Sequence, residues 1–110
     1  MAETVDKATI LRLKMERIRD TDKVSHARTE LETLHVPSTG PFEELLYHIN
    51  GVLWTVEDQL RELEKNEDFG SNFVLLARSV YFVNDLRAQV KARISKILRE
   101  PVKEVKSYIE

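Results

Sequence analysis

Two apolar repeats of seven-residue period, separated by a short turn, constrain the fold of this chain more than any other feature. Each repeat advances in alternating steps of four and three residues, which places its members along one side of an α-helix. The first repeat consists of Phe42, Leu46, Ile49, Leu53, Val56, Leu60 and Leu63, and the second of Leu76, Val80, Val83, Arg87, Val90, Ile94 and Ile97. Two long helices joined by so short a turn must lie antiparallel, so the sequence predicts a helical hairpin.

Glycine and proline divide the rest of the chain, which has only three of each. Helical spacing of apolar residues predicts helices over about residues 4–20, 22–35, 41–66 and 72–99, followed by a tail over 100–110 that either forms a short helix or stays loose. Thr4 is the expected N-cap of the first helix. The chain is therefore expected to be all-α, a single domain over residues 1–110 containing an antiparallel bundle of three or four helices built on the hairpin.

Composition narrows the possible functions. The net charge is only −2, and the lysines and arginines near the C-terminal end have no aromatic residues between them, so neither nucleic acid nor a membrane surface is an expected partner. The chain has no cysteine, which excludes thiolate catalysis and suits a reducing cytoplasm. No apolar run approaches the roughly 20 residues that span a bilayer. A soluble, cytoplasmic protein without a cofactor is expected.

Polar and aromatic residues set beside or within the two seams form the best candidate site. The members are Asn50, Trp54, Glu57, Arg61, Tyr81, Asn84 and Arg87. The four on the first hairpin helix share one face, because residues three or four apart are neighbours on a helix. The three on the second lie at matching levels when the chain folds back at the turn. The sequence therefore predicts that these side chains converge near the middle of the hairpin.

Arg87 is the most demanding member of this set because it occupies a seam position. A guanidinium stays charged in a protein, so burial requires a carboxylate partner. Glu57 is the nearest candidate, although it lies almost two turns away, and Trp54 is placed to stack on the guanidinium. Gly51 is expected to make room for the Arg87 side chain or for the close approach of a helix. Three interpretations of the set stay open: a structural network that fixes helix pairing, a ligand pocket and a catalytic site.

Metal binding is not expected from the distribution of acidic residues and histidines. Asp58, Glu62 and Asp85 project away from the seams, whereas carboxylate metal sites in helical bundles point inward from several helices. The three histidines are scattered without ligand spacing. No glycine-rich phosphate loop or nucleophile elbow is present either.

The length of the hairpin predicts assembly. Each of its helices is on the order of 40 Å long, which exceeds what the two shorter helices can cover. A second apolar stripe on the last helix, formed by Leu75, Phe82 and Leu86, implies that this helix is covered on more than one side. Apolar surface left over on a small protein usually marks an interface. A homo-oligomer, a dimer or larger, is therefore expected, with a different protein as a further possible partner.

Several stretches of the chain resemble a family of small, uncharacterised, all-helical proteins of bacteria and their phages. They are residues 6–18 (DKATILRLKMERI), 50–58 (NGVLWTVED) with Arg61, 68–70 (DFG), 76–81 (LARSVY), 84–85 (ND) and 105–108 (VKSY). The likeness spans nearly the whole chain and implies no known activity. It also implies a genomic setting of surface-glycan or nucleotide-sugar proteins.

Two functions are therefore weighed. The first is a non-enzymatic helical protein that assembles with itself or with a partner, with the polar residues of the hairpin specifying the pairing. The alternative is a binder of a small molecule (a nucleotide or a nucleotide sugar), or a hydrolase, with Glu57, Asn84 and Arg87 in a pocket beside Trp54. A sealed polar network favours the first function, and a solvent-open cavity favours the second.

Overall fold

A computed structural model describes residues 1–99 and contains four α-helices in that range. They are α1 (Ala2–Arg17), α2 (Thr21–Thr33), α3 (Phe42–Lys65) and α4 (Ser71–Ile97), and there is no β-strand among the described residues. The prediction of an all-α bundle built on a long hairpin is confirmed. The predicted tail at 100–110 lies outside the described residues.

The helix ends differ from the expected ones by a few residues. The first helix begins at Ala2 with Met1 as its N-cap, so Thr4 lies inside the first turn and the prediction that it caps the helix is wrong. It ends at Arg17 because Ile18 is extended. Asp20 caps α2, and its carboxylate accepts from the backbone N–H groups of Asp22 and Lys23.

The hairpin turn satisfies the last carbonyls of α3 with backbone donors. The N–H of Asp68 donates to the carbonyl of Leu63 at 2.9 Å, and the N–H of Glu67 donates to the carbonyl of Glu64 at 3.0 Å. Glu67 itself adopts a positive φ of 54°, the left-handed conformation that ends many helices and that usually selects glycine. The chain then reverses, and α4 packs antiparallel on α3 along the two seams.

The first helix lies across the base of the hairpin, which is the end away from the turn. The N-terminal part of α1 packs on α4, and its C-terminal part packs on α3. Helix α2 packs on α1 and, within the described chain, on neither hairpin helix. The core at this junction consists of Ala2, Val5, Leu46, Ile49, Val90 and Ile94, with Val36, Phe42, Val83 and Leu98 packed against it. The molecule is flat, with extents of 45 × 44 × 19 Å.

Candidate functional site

A cluster of polar side chains, all buried except the partly exposed Arg87, lies where α1 crosses the hairpin. Its members, here called the Asp6 cluster, are Asp6 and Thr9 on α1, Asn50 on α3, and Arg87 and Lys91 on α4. Asp6 is only 4% exposed although it carries a charge. Charged groups are almost never buried unless they are paired, so the contacts of this carboxylate decide what the cluster does.

The amide of Asn50 ties α3 to α1. Its Nδ2 donates to Asp6 Oδ1 at 2.9 Å and to Thr9 Oγ1 at 2.8 Å. The Thr9 hydroxyl in turn donates to the backbone carbonyl of Asp6 at 2.7 Å. Both amide hydrogens and the hydroxyl hydrogen are therefore used inside the protein.

Two cations from α4 complete the cluster. Arg87 Nε donates to Asp6 Oδ1 at 3.3 Å, and Arg87 Nη2 forms an ion pair with Asp6 Oδ2. Lys91 Nζ lies 2.9 Å from Glu3 Oε1 and 4.0 Å from Asp6 Oδ2. Two carboxylates thus face two cations, and the two buried charges, Asp6 and Lys91, each have a partner of opposite sign, which a protein interior requires.

This arrangement joins three helices and engages both carboxylate oxygens of Asp6. A general base needs a carboxylate oxygen within reach of a substrate proton. Here Oδ1 accepts from Asn50 and Arg87, and Oδ2 is paired with Arg87. The cluster therefore links α1 to both helices of the hairpin.

The structure brings together only some of the residues that the sequence predicts to converge. It brings Asn50 and Arg87 together through their common partner Asp6. The expected pairing of Arg87 with Glu57 is wrong, because the Glu57 carboxylate is exposed and lies 3.9 Å from Arg61 Nη2. Arg61 also donates to Asp58, on the exposed surface of α3.

None of the hydrogen bonds and ion pairs of the cluster involves the remaining candidates. Tyr81 is exposed, and Trp54 and Asn84 are half-buried. The expected stacking of Trp54 on Arg87 is not found. The cation–π contact among the described residues is instead made by Arg12, whose guanidinium carbon lies 4.0 Å from the centre of the Tyr47 ring.

The sequence reasoning missed Asp6, Thr9 and Lys91. A signal was present, since Asp6 and Thr9 are one turn apart and share a face with Ala2, Val5 and Leu13. The sequence did not allow us to predict that this face of α1 packs on the hairpin.

A second set of contacts joins α1 to α3 nearer the surface. Arg12 Nη1 forms an ion pair with Glu44 Oε1 at 2.8 Å. The hydroxyl of Tyr47 donates to Glu16, and this hydrogen bond, together with partial burial, raises the pKa of Tyr47. Arg17 Nη1 donates to Thr55 Oγ1 at 2.9 Å.

Gly51 allows this close approach of the two helices. A Cβ at this position would lie 3.2 Å from Arg17 Nη2 and 3.7 Å from Leu13 Cδ2. Of the two roles expected for Gly51, the structure shows the approach of a helix, namely α1, and the side chain accommodated is Arg17 rather than Arg87.

The hairpin has an apolar face that α1 does not cover. We call it the open face and define it by Leu45 and Val52 on α3 and by Leu75, Phe82 and Leu86 on α4. On each helix these residues lie on the opposite side of the seam from the residues that meet α1. Near the turn, a groove between the two helices is lined by Gln59, Glu62, Leu63, Asn72, Leu75 and Leu76. All five members of the open face are exposed, Phe82 and Leu75 by 68% and 69%.

Neither a metal-binding group nor a membrane-spanning helix is found among the described residues. Among residues 1–99, no three histidine, aspartate or glutamate side chains come together in a group that could hold a metal ion. None of the four described helices combines the length and the apolar character that crossing a membrane requires.

Comparison with known proteins identifies a family. The profile described as Family of unknown function (DUF6165) matches residues 1–109, so the chain belongs to that family. No curated protein matches the chain. No solved structure matches it.

Proposed function

We propose that this member of the DUF6165 family is a non-enzymatic helical protein that assembles with further copies of itself through its α3–α4 hairpin. The observation that carries the proposal is the open face, where five large apolar side chains on one side of the hairpin are exposed. Contiguous apolar patches beyond a few hundred Å² are rare on proteins that act as monomers and usually mark a binding surface.

The size of the open face suits a stable interface. The hairpin helices are on the order of 40 Å long and each is about 10 Å wide with its side chains, so one face of the pair is about 20 Å across and covers roughly 800 Å². A standard protein–protein interface takes about this area from each partner. A second copy therefore supplies enough area for a stable dimer, and a larger oligomer or a different protein partner fits the same surface.

The Asp6 cluster supports a structural interpretation of the polar residues. Both Asp6 oxygens are occupied by donors from two other helices, as set out above. In the proposed function the cluster fixes α1 on one side of the hairpin base, which leaves the opposite side available to a partner. The pairing of helices within the chain, rather than a reaction, is then the role of Asn50 and Arg87.

The competing function is a binder of a nucleotide or a nucleotide sugar, or a hydrolase of such a compound. Its expected site loses support because Glu57, Arg61 and Tyr81 lie on the surface, away from Arg87. A thermal-shift screen with nucleotides, nucleotide sugars and divalent metals tests it, since a ligand specific for the folded state raises the melting temperature. A saturable rise with one of these compounds would favour the competing function.

Sedimentation analysis with one pair of variants tests the proposed assembly. Phe82 and Tyr81 are adjacent aromatic residues with nearly equal exposure, 68% and 67%, but only Phe82 lies on the open face. We expect the wild-type chain to sediment as a dimer or larger oligomer at micromolar concentration. Phe82→Gln should dissociate at concentrations where Tyr81→Gln remains assembled. A wild-type monomer at every concentration would remove the proposal.

Two further parts of the proposal concern origin and location. From the resemblance, the family is expected in bacteria and their phages, with signature stretches at residues 6–18, 50–58 and 76–81. From the absence of cysteine, we place the protein in the cytoplasm. Fractionation of a native host tests the location.

A further inference from the structure

We infer that the second copy binds open face to open face with its hairpin antiparallel, about a two-fold axis that crosses the middle of α4 near Phe82. This inference rests on the proposed function, because it specifies which surface assembles and in which orientation. The result is a four-helix bundle of two hairpins, with α1 and α2 of each copy on the outside. Two observations carry it, the distribution of charge along the hairpin and the position of its apolar residues.

The two ends of the hairpin carry opposite charge. Residues 57–70, which form the turn end, contain six acidic and two basic residues. Residues 87–99, at the base of α4, contain five basic residues and no acidic one, and the base of α3 adds Glu43 and Glu44, so five basic and two acidic residues leave the base positively charged. Arg87 and Lys91 are engaged with Asp6 and Glu3, whereas Arg93, Lys96 and Arg99 are exposed.

This distribution selects the antiparallel orientation. When the copies are antiparallel, the acidic turn end of each lies beside the basic base of the other, and attraction occurs at both ends. In the parallel orientation, acidic ends meet acidic ends and basic ends meet basic ends. Like charges brought together across an interface oppose association, so charge fixes orientation even where apolar area supplies most of the affinity.

We place the two-fold axis at the middle of α4, because the two open faces then overlap over the greatest length. The middle of α4, which runs from Ser71 to Ile97, is at residue 84. Phe82 is two residues from that level, so it lies within about 6 Å of its own copy along the helix axis. Leu75 is nine residues away, so it lies about 27 Å from its own copy and level with Arg93 of the second copy.

Single cysteines distinguish the orientations cleanly because the natural chain contains none. Four variants are made at exposed positions: Phe82→Cys, Leu75→Cys, Arg93→Cys and, as the control on another side of α4, Tyr81→Cys. Each is treated with a bismaleimide that spans about 10 Å, the distance between packed helices. Circular dichroism confirms that each variant is folded.

The expected pattern is specific. Phe82→Cys should cross-link to itself, and Leu75→Cys should cross-link only when it is mixed with Arg93→Cys. The control Tyr81→Cys should remain uncross-linked. Efficient self-cross-linking of Leu75→Cys would overturn the antiparallel orientation, and efficient cross-linking of Tyr81→Cys together with failure of Phe82→Cys would overturn the open face as the interface.

Charge reversal gives an independent readout. Arg93→Glu combined with Lys96→Glu should weaken the antiparallel dimer about tenfold in dissociation constant, because each lost attraction occurs twice by symmetry. Adding Glu62→Lys and Glu67→Lys to the same chain should restore the affinity. In a parallel dimer the first pair of substitutions relieves repulsion, so a tighter dimer would overturn the inference. A wild-type chain that sediments as a monomer would instead mean that the proposed function itself has failed.

Discussion

The base of the hairpin and its arm, which is the part between the α1 crossing and the turn, differ sharply in how completely other helices cover them. The same apolar seam runs through both parts. At the base, where α1 crosses, Leu46 and Ile94 are fully buried. Along the arm toward the turn, the seam residues Leu60, Leu63 and Leu76 are only half-buried, and Phe82 beside them is 68% exposed. A heptad seam supplies one contact between two helices, so burial on the remaining sides depends on a third layer. The difference shows that α1 supplies this layer at one end and on one side only.

The largest expected effect concerns the ion pair that anchors the covered end. Arg87→Met should lower the free energy of unfolding by about 3–5 kcal/mol, because it leaves the Asp6 carboxylate buried without its main partner. Adding Asp6→Leu removes the unpaired charge and should recover most of that loss. Chemical denaturation at one protein concentration measures both.

The matched control is Arg61→Met, which removes an arginine whose side chain is 75% exposed on the arm. We expect it to change stability by less than about 1 kcal/mol. Equal losses for Arg87→Met and Arg61→Met would contradict the contrast between the buried base and the exposed arm.

A smaller loss is expected when the amide that joins α1 and α3 is removed. Asn50→Leu should cost about 2 kcal/mol, since Asp6 and Thr9 each lose a hydrogen bond while they remain buried. Glu57→Leu, on the same helix but exposed, should cost no more than about 0.5 kcal/mol. Thermal or chemical unfolding compares the two. A larger loss of stability for Glu57→Leu than for Asn50→Leu would instead support the site predicted from the sequence, which includes Glu57.

The contacts of Arg87 and Asn50 show how much of the site could be predicted from the sequence. Arg87 on a seam required a buried carboxylate, and the structure supplies one. The register within the hairpin also brought Asn50 near Arg87. The partner could not be predicted, because Asp6 is 81 residues away from Arg87 and belongs to another helix. Helical spacing fixes which residues share a face but not which face of α1 lies on the hairpin.

The fold was more predictable than the site because it depends on local signals. The two strict repeats and the glycine and proline positions were enough for four helices and an antiparallel hairpin. Helix ends were less predictable, since the capping residue depends on backbone geometry. Thr4 has a good capping side chain, yet α1 starts two residues earlier, with Met1 as its N-cap. The second stripe of α4 was predicted to be covered, and within residues 1–99 it is exposed.

Substitutions at Gly51 test the contact between α1 and α3 on the covered side of the hairpin. Gly51→Ala should raise stability by about 0.5 kcal/mol, because alanine favours the helix and the nearest atom is the mobile end of Arg17. Gly51→Leu should lower stability by about 1–3 kcal/mol, because the larger side chain overfills the contact with Leu13. Melting temperatures measured on both variants should therefore move in opposite directions. Destabilisation by both would mean that Arg17 cannot move.

The smallest expected effect concerns the attachment of α2 to α1. Lys7 Nζ lies 2.6 Å from Glu30 Oε2, and this hydrogen bond from Lys7 lowers the pKa of Glu30. A lowered folded pKa means that the pair contributes stability above the ordinary glutamate pKa of about 4.3, and that this stability is lost as the pH falls through the lowered value.

The matching variants are Glu30→Gln and Lys7→Gln. Each should have a slightly lower melting temperature than the wild type at pH 7, and the difference should close in acid below the ordinary glutamate pKa. The double variant should be no less stable than either single one, because both substitutions remove the same pair. A difference that persists unchanged in acid would contradict the pairing.

Amide hydrogen exchange followed as a function of protein concentration tests the central claim most directly. The claim is that the base of the hairpin is held within one chain, whereas the arm is covered only by a second copy. We expect strong protection around Leu46, Asn50 and Ile94 at every concentration, and protection along residues 56–63 and 74–86 that rises as the dimer forms. Protection of the arm that is independent of concentration and equal to that of the base would contradict the account.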